Sequence, residues 1–142
     1  MKSYFPDVNV WLALAYRGHQ HHPIASAWFE EAEEVIFCRF TQLSFLRLLT
    51  HPAIMRDEVK TQQEAWKAYD QLSGDARVSF FTESEPPRVE AALRALTASS
   101  RSSHQQWPDA YLAAFARASG LTLVTFDKAL GKLAGKECVL LA

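Results

Sequence analysis

The stretch WPDAYLAAFARASGLTLVTFDKAL, residues 107–130, decides the fold. Pro108 suits the start of a helix, and Gly120 is a natural residue just past its end. LTLVT (121–125) then reads as a strand, and Asp127 follows it after one residue. Working outward, the same alternation recurs. Strands are expected at residues 2–6, 35–40, 77–81 and 138–141. Between them lie a helix opened by Pro23, one capped by Thr41 and stopped at His51–Pro52, one with the Thr61–Glu64 capping box ending at Gly74, and one opened by Pro86–Pro87. Strands alternating with helices call for a parallel sheet covered on both faces. No repeat or linker interrupts the pattern, so residues 1–142 are expected to form a single domain.

Composition narrows the function classes. Of 142 residues, 49% are apolar and 22% charged, an ordinary soluble balance. Fifteen Lys and Arg against sixteen Asp and Glu leave a formal charge of −1, which excludes a polybasic nucleic-acid binder but not a nuclease with a local basic rim. Cys38 and Cys138 sit far apart in apolar runs and are expected to be reduced core residues. No apolar run reaches the roughly 18 residues of a membrane span, and no signal-peptide core is visible. A soluble cytoplasmic protein is the expectation.

Chemistry in a sheet of this class lies at its carboxyl edge, where helices also begin. Three acids meet one or other condition. Asp7 follows the first strand, Asp127 follows the fourth, and Asp109 lies in the first turn of the helix leading into the fourth. Singly, each reads as a turn former or a complement to a helix dipole. If strands one and four are neighbours, the three converge, and like charges that close must share protons or hold a hard cation. Oxygen ligands alone select Mg²⁺ or Mn²⁺ over zinc. A phosphoacceptor receiver domain also gathers acids at such an edge, but it needs adjacent acids after its first strand, where Asp7 stands alone.

Four stretches, DVNVWLAL (7–14), TQLSFLRLLTHPAI (41–54), WPDAYLAAFA (107–116) and GLTLVTFDKAL (120–130), together resemble the PIN-domain ribonucleases of the VapC type, toxins of bacterial toxin–antitoxin pairs. The resemblance implies an α/β/α sandwich with about five mainly parallel strands and Mg²⁺-dependent endonucleolytic cleavage of RNA, transfer RNA among the possible substrates. It also implies an antitoxin partner and a homodimer. It places the family's acids on Asp7, Asp109 and Asp127, as metal ligands and catalytic residues, with Asn9 and Thr125 on the polar positions that orient water or phosphate. One position departs: where the family has a Glu in the helix after the second strand, this chain has Ser44, also read as the third helical position after Thr41. A site of charge −3 rather than −4 should bind metal more weakly, which opens an alternative: a PIN-fold partner-binding protein with weakened or lost catalysis.

The remaining polar features read as surface. His19, His21 and His22 (GHQHHP) are taken as a loop capping a helix rather than a metal site. Arg39, Arg47 and Arg56 flank the third helix, and Arg94, Arg101 and His104 border the polar loop before Asp109, a candidate substrate rim. Trp11, Trp28, Trp66 and Trp107 fall in apolar patterns and are assigned to core or interface.

Overall fold

The computed structural model describes residues 2–142. Its sheet contains β1 (Ser3–Pro6), β2 (Glu34–Phe37), β3 (Val78–Phe80), β4 (Thr122–Thr125) and β5 (Cys138–Leu140). The order is β3-β2-β1-β4-β5, and every neighbouring pair is parallel. Tyr4 of β1 is in register with Val35 on one side and Thr122 on the other. The five expected strands are all present, four of them trimmed at their ends, while β2 begins one residue before the expected 35–40 span and stops at Phe37.

Helices α1 (Val8–Ala15) and α2 (His22–Glu31) connect β1 to β2. Helices α3 (Arg39–Leu49) and α4 (Pro52–Met55), a 3-10 turn at Arg56–Glu58 and α5 (Gln62–Ser73) lead to β3. The chain then crosses back through α6 (Pro86–Leu96) and α7 (Gln106–Ser119) to β4, and α8 (Lys128–Ala134) leads to β5. The winding therefore reverses between β1 and β4, and at such a reversal the connections diverge and open a crevice outside the carboxyl ends.

Alternating side chains of the strands build two cores. Val35 and Phe37 join Trp11, Phe45, Leu49 and Tyr69 on one face; Ile36 and Cys38 join Phe5, Phe115, Leu123 and Leu130 on the other. Trp11 stacks on Phe37 with ring centroids 3.7 Å apart, and Phe5 lies 5.0 Å from Phe115. Burial on both faces explains why the strands read as continuous apolar runs.

Several local expectations change. Helix α3 starts at Arg39 with Cys38 as its N-cap, so Thr41 is the third helical residue and not the cap. The Thr41 hydroxyl oxygen accepts the Cys38 N–H at 3.0 Å, the reciprocal half of a capping arrangement. Ser44 is consequently the sixth helical residue, where no capping box can form. Helix α7 begins at Gln106, two residues before Pro108; the first-turn N–H groups lack partners anyway, so a proline there costs little. Gly120 closes it in the left-handed region, φ 68°. Helix α1 leaves no amphipathic signature in the sequence, because Val10, Trp11, Leu12 and Ala13 are all buried and leave no polar stripe to mark the period. Cys38 is buried and Cys138 only half-buried, both as free thiols. Trp11 is core, whereas Trp66 and Trp107 are exposed. No helix of the described residues is long and apolar enough to cross a membrane.

Candidate active site

Asp7 leaves the carboxyl end of β1 as the N-cap of α1, its Oδ1 accepting the Val10 N–H at 3.1 Å. Its own N–H donates to the Val124 carbonyl of β4 at 3.0 Å. The Thr125 hydroxyl, wholly buried at the end of β4, donates to Asp7 Oδ2 and accepts the Asp127 N–H at 3.0 Å. One hydroxyl thus ties two adjacent strand ends and two acids together. Asp127 is the N-cap of α8, its Oδ1 accepting the N–H groups of Ala129 at 2.8 Å and Leu130 at 3.3 Å. Asp109 sits half-buried in the first turn of α7, at the carboxyl edge because α7 runs antiparallel to the strand it precedes.

The charges of the three acids act on one another. Asp7 is only 4% exposed, and this burial raises its pKa from 3.8 to about 6, against the lowering effect of the Thr125 hydroxyl and the Val10 and Asn9 N–H groups; the charge of Asp109 adds to the rise. Asp109 is also raised, by burial first and then by Asp127. Asp109 is therefore electrostatically coupled to both of the other acids.

A cleft of about 300 Å³ opens here, lined by Asp7, Asn9, His19, Gln20, His21, Phe126 and Asp127. Thr125 lies beneath it, and Asp109 is not part of its lining. Ser44 is half-buried on α3 and also outside the lining. His19, Gln20 and His21 lie on the surface loop expected to cap a helix, with His21 as the N-cap of α2, and they also line the cleft. The missed signal was topological. Helix α2 immediately precedes β2, so it must begin at the carboxyl edge, and the loop delivering it arrives there too. The loop expected to form a substrate rim lines a separate hollow of about 440 Å³, with Arg101, His104 and Trp107 among its residues. Arg94 instead pairs with Glu90 at 3.0 Å on the exposed face of α6.

Among the described residues, no group of three or more His, Cys, Asp or Glu side chains is arranged to hold a metal ion. A closed cage for zinc does not fit. The oxygen-only donors fit a hydrated hard cation better, because Mg²⁺ retains several waters and takes one or two carboxylates together with substrate phosphate. Asp127 Oδ2 and the carboxylate of Asp109 receive no hydrogen bond among the described residues, so both have oxygens to offer.

Comparison with known proteins agrees with this architecture. A family profile described as "PIN domain" matches residues 4–136. Ribonuclease VapC41 of Mycobacterium tuberculosis is 43% identical over 142 residues, covering 96% of this chain and 97% of the relative. Among solved structures, M. tuberculosis VapC20, described as a sarcin–ricin loop cleaving toxin, superposes with a TM-score of 0.63 at 22% identity, covering 94% of this chain and 95% of its own. VapBC2 from Rickettsia felis, bound to a DNA fragment from its promoter, gives 0.68 at 10% identity with 98% of each chain covered. The parallel order β3-β2-β1-β4-β5, the acids at its point of reversal and the whole-length match to VapC41 lead to one assignment: the chain belongs to the PIN-domain family, in its VapC group.

Proposed function

We propose that the chain is a Mg²⁺-dependent endoribonuclease acting in the cytoplasm as the toxin of a toxin–antitoxin pair. The observation that carries this reading is the coupling of Asp7, Asp109 and Asp127 where the winding reverses between β1 and β4. The whole-length relationship to a protein named a ribonuclease supports the substrate class. Asp7, Asp109 and Asp127 would hold Mg²⁺, or Mn²⁺ in its place, directly or through water. When bound, the cation lowers the pKa of a water molecule and offsets negative charge growing on the scissile phosphate.

The protein's own contribution is preorganisation. Val10 N–H and the Thr125 hydroxyl hold the Asp7 carboxylate in place, so it cannot swing into solvent. Asp127 is fixed by two N–H donors on one oxygen and keeps the other free. Asn9, exposed at the cleft mouth, supplies an amide to orient water or a phosphate oxygen. An antitoxin inhibitor would place an Arg or Lys in the same cleft, since a guanidinium satisfies carboxylates through paired hydrogen bonds.

The test is cleavage of a labelled RNA pool, transfer RNA included, with and without Mg²⁺. Cleavage that is lost on chelation and in Asp109→Asn supports the proposal; cleavage unaffected by both overturns it. A second reading, a partner-binding PIN domain with weakened catalysis, is favoured by Ser44 in place of the family Glu. Antitoxin binding without metal-dependent cleavage would select it.

A further inference from the structure

The loop between α1 and α2 carries three histidines, and their hydrogen bonds separate them into two kinds. His22 is occupied on both ring nitrogens: Nδ1 faces the Ala13 carbonyl at 2.7 Å and Nε2 faces the Ser26 hydroxyl at 3.3 Å. A carbonyl only accepts, so His22 carries its proton on Nδ1 and accepts from Ser26 at Nε2. It braces the end of α1 against the start of α2. His19 is set the other way. Its Nδ1 accepts the His21 backbone N–H at 3.0 Å, which leaves the neutral ring with its proton on Nε2. The His21 ring lies on Phe126, centroids 4.5 Å apart and planes inclined by 21°. Two successive turns fix the loop, His19 N–H to the Tyr16 carbonyl and His22 N–H to the His19 carbonyl, each at 3.0 Å.

His19, His21 and Phe126 share the cleft of about 300 Å³ with Asp7, Asn9 and Asp127. Its lining therefore combines acids suited to a cation with an N–H donor and an aromatic pair suited to something else. A phosphodiester chain passing a bound cation presents both remaining needs: a phosphate oxygen that accepts a hydrogen bond, and a base with a flat face.

Resting on the ribonuclease reading above, we infer that His19 and His21 form a nucleotide subsite beside the acids. Nε2–H of His19 donates to a non-bridging oxygen of the phosphodiester next to the scissile one, and the His21–Phe126 pair stacks the adjoining base. Burial, then the neighbouring His21 and His22, hold the His19 pKa below its usual value, so it serves as a neutral donor rather than a second cation. The site makes no metal cage of these imidazoles, as the absence of any three-ligand group among the described residues indicates.

The test uses the full chain and a fluorescent pool of short random-sequence RNA, with metal-free binding by anisotropy and cleavage kinetics in Mg²⁺. His19→Asn keeps an acceptor for the His21 N–H but removes the Nε2–H. It should raise Kd and KM about tenfold with kcat within about twofold, and His19→Gln, whose amide restores a donor, should recover most of the loss. His21→Ala should weaken the RNA pool about fivefold and leave an abasic oligomer of the same length unchanged. If His19→Asn fails to fold, His21→Ala and its abasic control decide. Wild-type cleavage with normal Kd and KM in His19→Asn or His21→Ala overturns the subsite alone, as does a fall in kcat at constant KM. Wild-type protein that neither binds nor cleaves RNA overturns the ribonuclease reading and the subsite with it.

Discussion

Phe5 and Asp7 stand two residues apart on the same chain segment and are almost equally buried, yet they act on the protein in opposite directions. Phe5 is wholly buried against Phe115 in the apolar core. Asp7, 4% exposed, is a carboxylate that burial pushes to a pKa of about 6. The contrast extends across the sheet. Strand bodies pack aromatic and aliphatic side chains into two cores, whereas the carboxyl edge gathers acids that act on one another, Asp7 buried, Asp109 half-buried and Asp127 exposed. Stability accumulates in the middle of the sheet and is given up at its carboxyl edge, where binding a cation would recover it.

The largest effect that could break this contrast lies in the core. Phe37 packs on Trp11, Phe45 and Tyr69 and is fully buried. Phe37→Ala should cost about 3–5 kcal/mol, a large part of the stability of a domain this size. Chemical denaturation measures it; a loss below about 1 kcal/mol would mean that this core is not where stability resides.

Asp7→Asn should act with the opposite sign. Asn is an equally good N-cap and preserves the Val10 bond, while removing a charge held in a buried site. In the metal-free wild type the folded state keeps a proton on Asp7 up to about pH 6 that the unfolded state releases near 3.8. The folded state binds more protons in that window, so stability falls as pH rises from about 4 to 6, by on the order of 3 kcal/mol, and then levels. Asp7→Asn should flatten this slope, melt higher than wild type above pH 6 without metal, lose stabilisation by Mg²⁺ and lose cleavage. A variant less stable than wild type at pH 7.5 would show that the edge carries no electrostatic cost.

Thr125→Val probes the hydroxyl that joins the two acids. It removes the donor to Asp7 and the acceptor for the Asp127 N–H. The expected loss is about 2 kcal/mol, with the Asp7 pKa driven further up because a hydrogen bond that lowers it is gone. An NMR titration of the Asp7 carboxyl reads the second effect, and an unchanged or lower pKa would contradict it.

The smallest change concerns Ser44. If position 44 faces the site, Ser44→Glu should shift the Mg²⁺ dependence of cleavage about tenfold to lower concentration, equivalent to about 1.4 kcal/mol, and should destabilise the metal-free protein. As the sixth residue of α3, it gains no capping interaction to offset that cost. An unmoved metal titration would place position 44 away from the acids.

Much of this was legible along the chain. The alternation of strands with capped helices, Gly120 between α7 and β4, and the rule that helices begin where parallel strands end were enough to bring Asp7, Asp109 and Asp127 to one edge. Helix α1 and the true start of α3 were not legible, because buried apolar runs lose their period and because Cys38 gives no recognisable capping signal. His19 and His21 stand on the surface loop before α2, as expected, but that the loop also lines the cleft beside the acids follows from its topology and not from residue type.

The sequence by itself determined where the five strands lie, where the helices with recognisable caps or breakers lie, and at which end of each the acids stand, because those properties depend on neighbours within a few residues. Only the tertiary structure decided that Thr125 reaches Asp7 across 118 positions, that burial raises that carboxyl towards neutrality, and that an imidazole donor and a stacked ring share its cleft. Desolvation and hydrogen bonding at a site are set by whatever the strand order places beside it, and strand order is a property of the whole chain.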